Sequence, residues 1–153
     1  MTDNYQHLLD RNLDLDELLS GTFNSILRVE EQALQNRFTE GLSITDVHTI
    51  VAVGMYERNP MNVAANRLGV TLATLTSAVK KLESQGFVRR ERDEADRRKV
   101  LLSLTARGRK VYRAHRIFHE EMLAAALSEL NDREARLLAE ALSKLKAFFD
   151  SRA

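Results

Sequence analysis

Residues 62–105 read NVAANRLGVTLATLTSAVKKLESQGFVRRERDEADRRKVLLSLT, and this run decides the fold. Asn62 stands where it can cap a short helix carrying Val63, Ala64 and Leu68 at inward spacing. Gly69 follows where a left-handed C-terminal residue is needed. Thr71 then caps a second helix, in which Leu75, Ala78, Val79 and Leu82 recur every three or four residues as one apolar stripe. The opposite face holds Ala73, Thr74, Thr76, Ser77, Lys80 and Lys81, short or cationic side chains throughout. Such a face is slim enough for a major groove, and it offers hydroxyls to base edges and ammonium groups to phosphates. Beyond Gly86, Phe87–Arg92 and Val100–Leu104 have the content of short strands, and the charged run from Asp93 to Lys99 lies between them. The pattern predicts helix, turn, helix and a basic antiparallel hairpin, the wing of a winged helix. The fold class is mainly α with a small β-hairpin.

Working outward, the pattern Leu15, Leu18, Leu19, Phe23, Ile26, Leu27, Leu34 predicts one long helix over about 13–38, ended by Gly41. Ser43 caps the next, with Ile44, Val47, Ile50, Val51 and Val53 inward until Asn59-Pro60. Thr105 caps a helix to about Leu127 with Val111, Tyr112, Phe118, Met122 and Leu123 apolar. Asn131 to Glu134 has capping-box spacing and opens a last helix whose broad apolar face runs through Leu137, Leu138, Ala141, Leu142, Leu145, Phe148 and Phe149. The whole chain of 153 residues reads as a single domain: helices over about 13–38 and 106–150 flank a DNA-binding unit over about 43–105. The first and last helices carry more apolar surface than one small domain covers, which predicts an isologous homodimer with a second copy.

Net charge is only +1, but its distribution is uneven. Residues 1–60 hold 4 Lys or Arg against 10 Asp or Glu, a net of −6, whereas residues 80–110 hold 11 against 5, a net of +6. The positive segment contains the second helix and the hairpin, so the electrostatic footprint falls where the motif predicts double-stranded DNA. With no cysteine, disulfides and thiol redox sensing are excluded. No apolar run reaches the roughly 18 residues of a membrane span, and no basic-then-apolar signal opens the chain, so no membrane partner and a cytoplasmic location are expected.

Asp96-Arg97-Arg98 followed by Val100-Leu101-Leu102-Ser103-Leu104-Thr105 resembles the wing signature of the MarR family of bacterial regulators, and the flanking helices have that family's order and length. The resemblance implies a dimer whose two recognition helices meet successive major grooves about 34 Å apart. It also implies that Arg98 enters the minor groove while Asp96 orients it. In this reading the protein is a transcriptional regulator, a repressor occupying a near-palindromic operator. Thr71, Ala73, Thr74, Thr76 and Ser77 are the base-edge residues, Leu72 is either core or a thymine-methyl contact, and Lys80, Lys81 and Arg89 meet phosphates. Arg97 belongs to the same basic tip.

Three of the four histidines form a second constellation. His115 and His119 stand four apart on one predicted helix and so share a face, His48 lies in the second helix and Glu30 in the first, while His7 has no evident partner. Three imidazoles and a carboxylate suit tetrahedral Zn²⁺; two histidines four apart also occur as a half-buried polar patch. Glu30, His48, His115 and His119 are similar, one by one, to the metal ligands of zinc-responsive MarR members, which implies one Zn²⁺ per subunit. The second site of those members uses Cys and carboxylates, where this chain has no Cys and carries Val47 and Ala114. Over residues 44–123, including Val70-Thr71-Leu72 and the His115–His119 segment, the chain also resembles the repressors of fatty-acid synthesis genes, which implies an acyl effector. Two other readings remain open on the residues: a metal- or ligand-binding protein whose helix-turn-helix is inert, and a metal-dependent enzyme. Four protein ligands leave no open position for substrate, and there is no Ser/His/Asp set, phosphate loop or carboxylate dyad, so no enzyme is expected.

Overall fold

The computed structural model describes residues 15–33, 39 and 41–152. His7 and both ends of the expected first helix, Leu13 and 34–38, lie outside them. In chain order the elements are α1 (Leu15–Ala33), α2 (Ile44–Val53), β1 (Asn59–Pro60), α3 (Met61–Leu68), α4 (Leu72–Ser84), β2 (Val88–Arg92), β3 (Val100–Leu104), α5 (Ala106–Leu127) and α6 (Asp132–Asp150). They divide into two compact units, one up to Tyr112 and one from Arg113 onward.

The first unit is a winged helix. Leu42, Val47, Ile50, Val53, Ala64, Ala65, Leu75, Val79, Leu82, Phe87, Val88, Leu102, Leu104 and Val111 form its buried core, so the stripes of α2, α3 and α4 converge with the inner face of the sheet. Its three strands run antiparallel in the order β1-β3-β2. Val88 pairs with Leu104 and Arg92 with Val100 along the hairpin, while Asn59 pairs with Leu102 and Pro60 with Leu101 on the other edge.

Local chemistry explains the element boundaries. Ser43 and Asp46 form a reciprocal capping box at the start of α2, and the Thr71 side chain accepts from the Thr74 amide at the start of α4. Gly69 adopts φ 66°, the left-handed residue that closes α3. Two expectations are corrected. Asn62 does not cap α3: Pro60 occupies that position without a side-chain cap, because its locked φ enters a helix readily, and Asn62 falls inside the first turn. And α2 ends at Val53 instead of near Asn59, since Gly54 turns the chain at φ 94°. The residues freed let Asn59-Pro60 become an edge strand, where a proline costs no ladder hydrogen bond.

At the start of α5, the Gly108 amide donates to the Thr105 hydroxyl, which itself donates to the Gly86 carbonyl. In the second unit Asn131 and Glu134 make the expected capping box for α6. No residue of α6 is buried, and Leu137, Leu138, Leu142, Leu145, Phe148 and Phe149 are all exposed. In α1, Glu30 is the one buried residue, while Leu15, Leu18, Phe23 and Leu27 are exposed. None of the described helices is long and apolar enough to cross a membrane.

Candidate nucleic-acid interface

The outer face of α4 presents the residues expected there: Thr71, Leu72, Ala73, Thr74 and Ser77 are exposed and Thr76 is half-buried. Their hydroxyls are committed to local hydrogen bonds. Thr76 Oγ1 donates to the Leu72 carbonyl at 2.7 Å, Ser77 Oγ to the Ala73 carbonyl at 3.4 Å, and the Thr71 and Thr74 hydroxyls share a bond of 2.9 Å. Leu72, ambiguous in sequence, is 53% exposed and stands on the outer face, outside the core.

The wing is close by. A groove of about 460 Å³ opens between the N-terminal half of α4 and the sheet, with Leu72 and Thr76 on one wall and Arg90, Arg98 and Lys99 on the other. The hairpin tip is held by main-chain bonds from Asp93 N to Lys99 O at 3.0 Å and from Lys99 N to Asp96 O at 2.8 Å. Asp96 fixes Arg98 through the backbone, accepting from the Arg98 amide at 3.1 Å, and its other oxygen lies 4.0 Å from Lys99 Nζ. Arg97, Arg98 and, on β2, Arg89 are exposed. Arg90, on the same wall of the groove, has its Nε buried and unbonded, and one guanidinium nitrogen is 3.8 Å from Glu83.

The two lysines of α4 differ in a way the sequence did not reveal. Lys80 is exposed, whereas Lys81 Nζ lies 2.6 Å from Asp46 Oδ2. Asp46 also accepts from the Ser43 amide and hydroxyl, each at 2.8 Å. Burial alone would raise the Asp46 carboxyl; hydrogen bonds from Lys81 and Ser43, with the Lys81 charge, outweigh it and hold the group below its ordinary range. The sign of the linkage follows. A depressed acid stabilises the fold above its unfolded value and loses that contribution as pH falls through the folded one. Asp46→Asn keeps the cap geometry but removes the charge, and should lower stability at pH 7 by roughly 0.5–1 kcal/mol, because the Lys81 end of the pair is half exposed and screened. The difference between thermal melts of the two proteins should begin to shrink as pH falls below the ordinary value of about 3.8 and vanish only below the lower value of the folded Asp46, where its carboxyl is protonated in both states; an offset that does not shrink with acid would contradict the role given to the charge.

Other cations of the basic segment brace the head. Arg107 donates to the Gln85 carbonyl at 2.8 Å with its guanidinium 4.2 Å over the Phe87 ring, and Arg109 donates to the Leu104 carbonyl at 2.7 Å. On the far side, Glu57 accepts from Asn59 at 2.6 Å and from Arg67 at 3.1 Å, which lowers its carboxyl in that order of cause, and Arg58 meets Glu91 of β2 at 2.8 Å. These contacts staple the end of α2 to α3 and the wing.

Of the expected metal ligands, Glu30 and His48 belong to the first unit and His115 and His119 to the second. In the first unit His48 Nε2 is 3.6 Å from the buried Glu30 carboxylate. In the second, His115 and His119 face one another with Nε2 atoms 3.1 Å apart, so in the metal-free pair one ring donates to the other.

Comparison with known proteins fits this geometry. The family model described as MarR family matches residues 53–100, from the end of α2 to the start of β3. The chain is 31% identical over 107 residues to the HTH-type transcriptional regulator BilQ of Clostridium symbiosum, covering 69% of this chain and 74% of that one. Among solved structures it is similar to Streptococcus pneumoniae FabT in complex with DNA, at 32% identity and a TM-score of 0.85, over 91% of this chain and 97% of FabT. The S. aureus MepR–DNA complex shares the fold, with 20% identity and a TM-score of 0.76 over 88% of this chain and 98% of that one. These relatives are regulators and not enzymes. With a helix-turn-helix, a basic wing and matches that extend over most of its length, the chain belongs to the MarR family and is a DNA-binding transcriptional regulator of that type.

Proposed function

We propose that the protein is a homodimeric repressor of a near-palindromic operator, acting inside the cell. The carrying observation is the exposed apolar faces on α1 and α6, where side chains as large as Phe23, Phe148 and Phe149 are about half exposed. Patches of that kind mark interaction surfaces, and a second copy can cover both faces with one two-fold operation. Thr71, Ala73, Thr74, Thr76 and Ser77 are the base-reading set, Lys80 and Arg89 meet phosphates, and Arg97 and Arg98 with Asp96 form the groove-entering tip. Lys81 reaches phosphate only by leaving Asp46. Sequencing the chromosomal DNA that the protein retains should return one inverted repeat, whose neighbouring genes name the target. The double substitution Leu142→Glu, Leu145→Glu should halve the sedimenting mass and cost well over tenfold in operator affinity. An unchanged mass would remove the dimer, and retention of no preferred DNA would leave a ligand-binding protein with an inert head.

The effector reading rests on Glu30, His48, His115 and His119. His115 and His119 offer imidazole nitrogens 3.1 Å apart, and Glu30 is a buried carboxylate beside His48, a donor set that fits Zn²⁺. When bound, the ion would neutralise the carboxylate and favour whichever arrangement of the chain binds it more tightly, shifting DNA affinity by that difference alone. Titration calorimetry of metal-free protein with Zn²⁺ should give one ion per subunit, with at least tenfold weaker binding for His115→Ala. Absence of saturable binding would instead favour an acyl effector, which the resemblance to fatty-acid-synthesis repressors also implies.

A further inference from the structure

We infer that the major-groove core of the operator half-site is A·T-rich, read by thymine methyls against apolar side chains and adenine amino groups against hydroxyl oxygens. The inference rests on the proposal that α4 lies in the major groove. From Val70 to Val79 the helix start carries no Arg, Lys, Asn or Gln. The face therefore lacks both the cationic fork that grips guanine O6 and N7 and the amide that grips adenine N6 and N7.

What remains is a set of hydroxyls whose protons are largely spoken for. A hydroxyl has one proton and two lone pairs. Thr76 and Ser77 give theirs to the Leu72 and Ala73 carbonyls, and the bond between Thr71 and Thr74 consumes one more. Thr71 Oγ1 also accepts from the Thr74 amide at 3.2 Å. In that state the face is predominantly an acceptor, and the donors it can accept from are the amino groups of adenine and cytosine.

Apolar surface separates those two bases. Val70 and Leu72 are 37% and 53% exposed, and Ala73 is exposed beside them. An A·T pair shows an amino group and a methyl in the same groove, satisfying both kinds of contact. A G·C pair shows an amino group and two acceptors, guanine O6 and N7, as an A·T pair shows adenine N7 and thymine O4, but it has no methyl for the apolar side chains, so the methyl decides between them. The lysines do not rescue guanine. Lys81 is held by Asp46, and Lys80 lies 8 residues beyond Leu72, about 12 Å along the helix at 1.5 Å per residue, which is about the width of the groove and places it at the phosphate rim.

The test selects bound sequences from a random 20-bp duplex library and then edits single groups on the selected duplex. Replacing thymine by uracil, which removes only the methyl, should weaken the wild type about threefold to tenfold at one or two positions and leave Leu72→Ala indifferent there. Replacing adenine by purine, which removes only the amino group, should weaken the wild type by a similar factor and leave Thr76→Val or Ser77→Ala indifferent at its own position. A selected half-site with a G·C core, or indifference of the wild type to both edits, overturns the inference while the DNA-binding reading stands. Selection of no duplex at all overturns that reading and the inference with it.

Discussion

Gly108→Ala should unfold the winged-helix unit or bring it to the edge of unfolding, the largest effect expected of any single methyl in the chain. A Cβ on Gly108 would lie 2.2 Å from the Phe87 carbonyl oxygen and 3.3 Å from a Leu104 methyl. The first of these is backbone, and it cannot swing aside as a side chain would. That carbonyl accepts from the Thr105 amide at 3.1 Å and the Thr105 hydroxyl at 3.2 Å, so pushing it away also breaks the joint between the wing and α5. Overpacking against a fixed backbone costs about 3 kcal/mol or more, equivalent to a fall of roughly 10 °C in Tm for a chain of this size. The control is Gly21→Ala: nothing stands within 4 Å of that position in α1, so the substitution should be neutral or mildly stabilising. A Gly108→Ala protein that melts within 2 °C of the wild type would show that the close approach at Phe87 is not maintained in solution.

The second large effect belongs to Arg98→Ala, which should weaken operator binding by about tenfold at moderate salt while leaving the fold unchanged. Arg98 is exposed on a tip whose shape is set by backbone bonds and by Asp96, and its side chain supports none of the core. Its loss removes one cation from the groove without moving the others, so the logarithmic dependence of affinity on salt should flatten by about one unit. Asp96→Ala should act differently. It loosens the turn at the Arg98 amide and should lower affinity with the salt slope nearly intact, because every cation is still present. Filter binding over 50–300 mM salt for the three proteins distinguishes the roles. Equal slopes for Arg98→Ala and the wild type would mean that Arg98 does not reach DNA.

What could be read in the sequence was what depends on near neighbours along the chain. Gly69, the Thr71 cap, the Leu75–Val79–Leu82 stripe and the two hairpin strands each follow from residues within a few positions of one another, and each stands where expected. What could not be read depends on partners brought together by folding. Lys81 looked like a phosphate ligand because Asp46, its partner, lies 35 positions earlier. Arg107 and Arg109 swelled the apparent DNA footprint, although their guanidiniums are turned to carbonyls at the base of the wing. The donor state of Thr76 and Ser77 was equally hidden: a helical hydroxyl can bond the carbonyl four residues back or turn outward, and only the side-chain conformation decides. The short strand at Asn59-Pro60 left no trace either, since two residues carry no periodicity.

That short strand sets the order in which the molecule can assemble. The hairpin of β2 and β3 joins residues at most 16 apart, Val88 and Leu104, whereas the rung between Asn59 and Leu102 spans 43 positions, with both helices of the DNA reader in the interval. Closing so long a loop gains nothing until the intervening helices have packed and shortened it. The hairpin can therefore form early by itself, but its fully buried Leu102 is flanked on both sides only when the helix pair is already in place. Amide exchange at the base of the wing should consequently track global unfolding, while exchange at the tip is far faster.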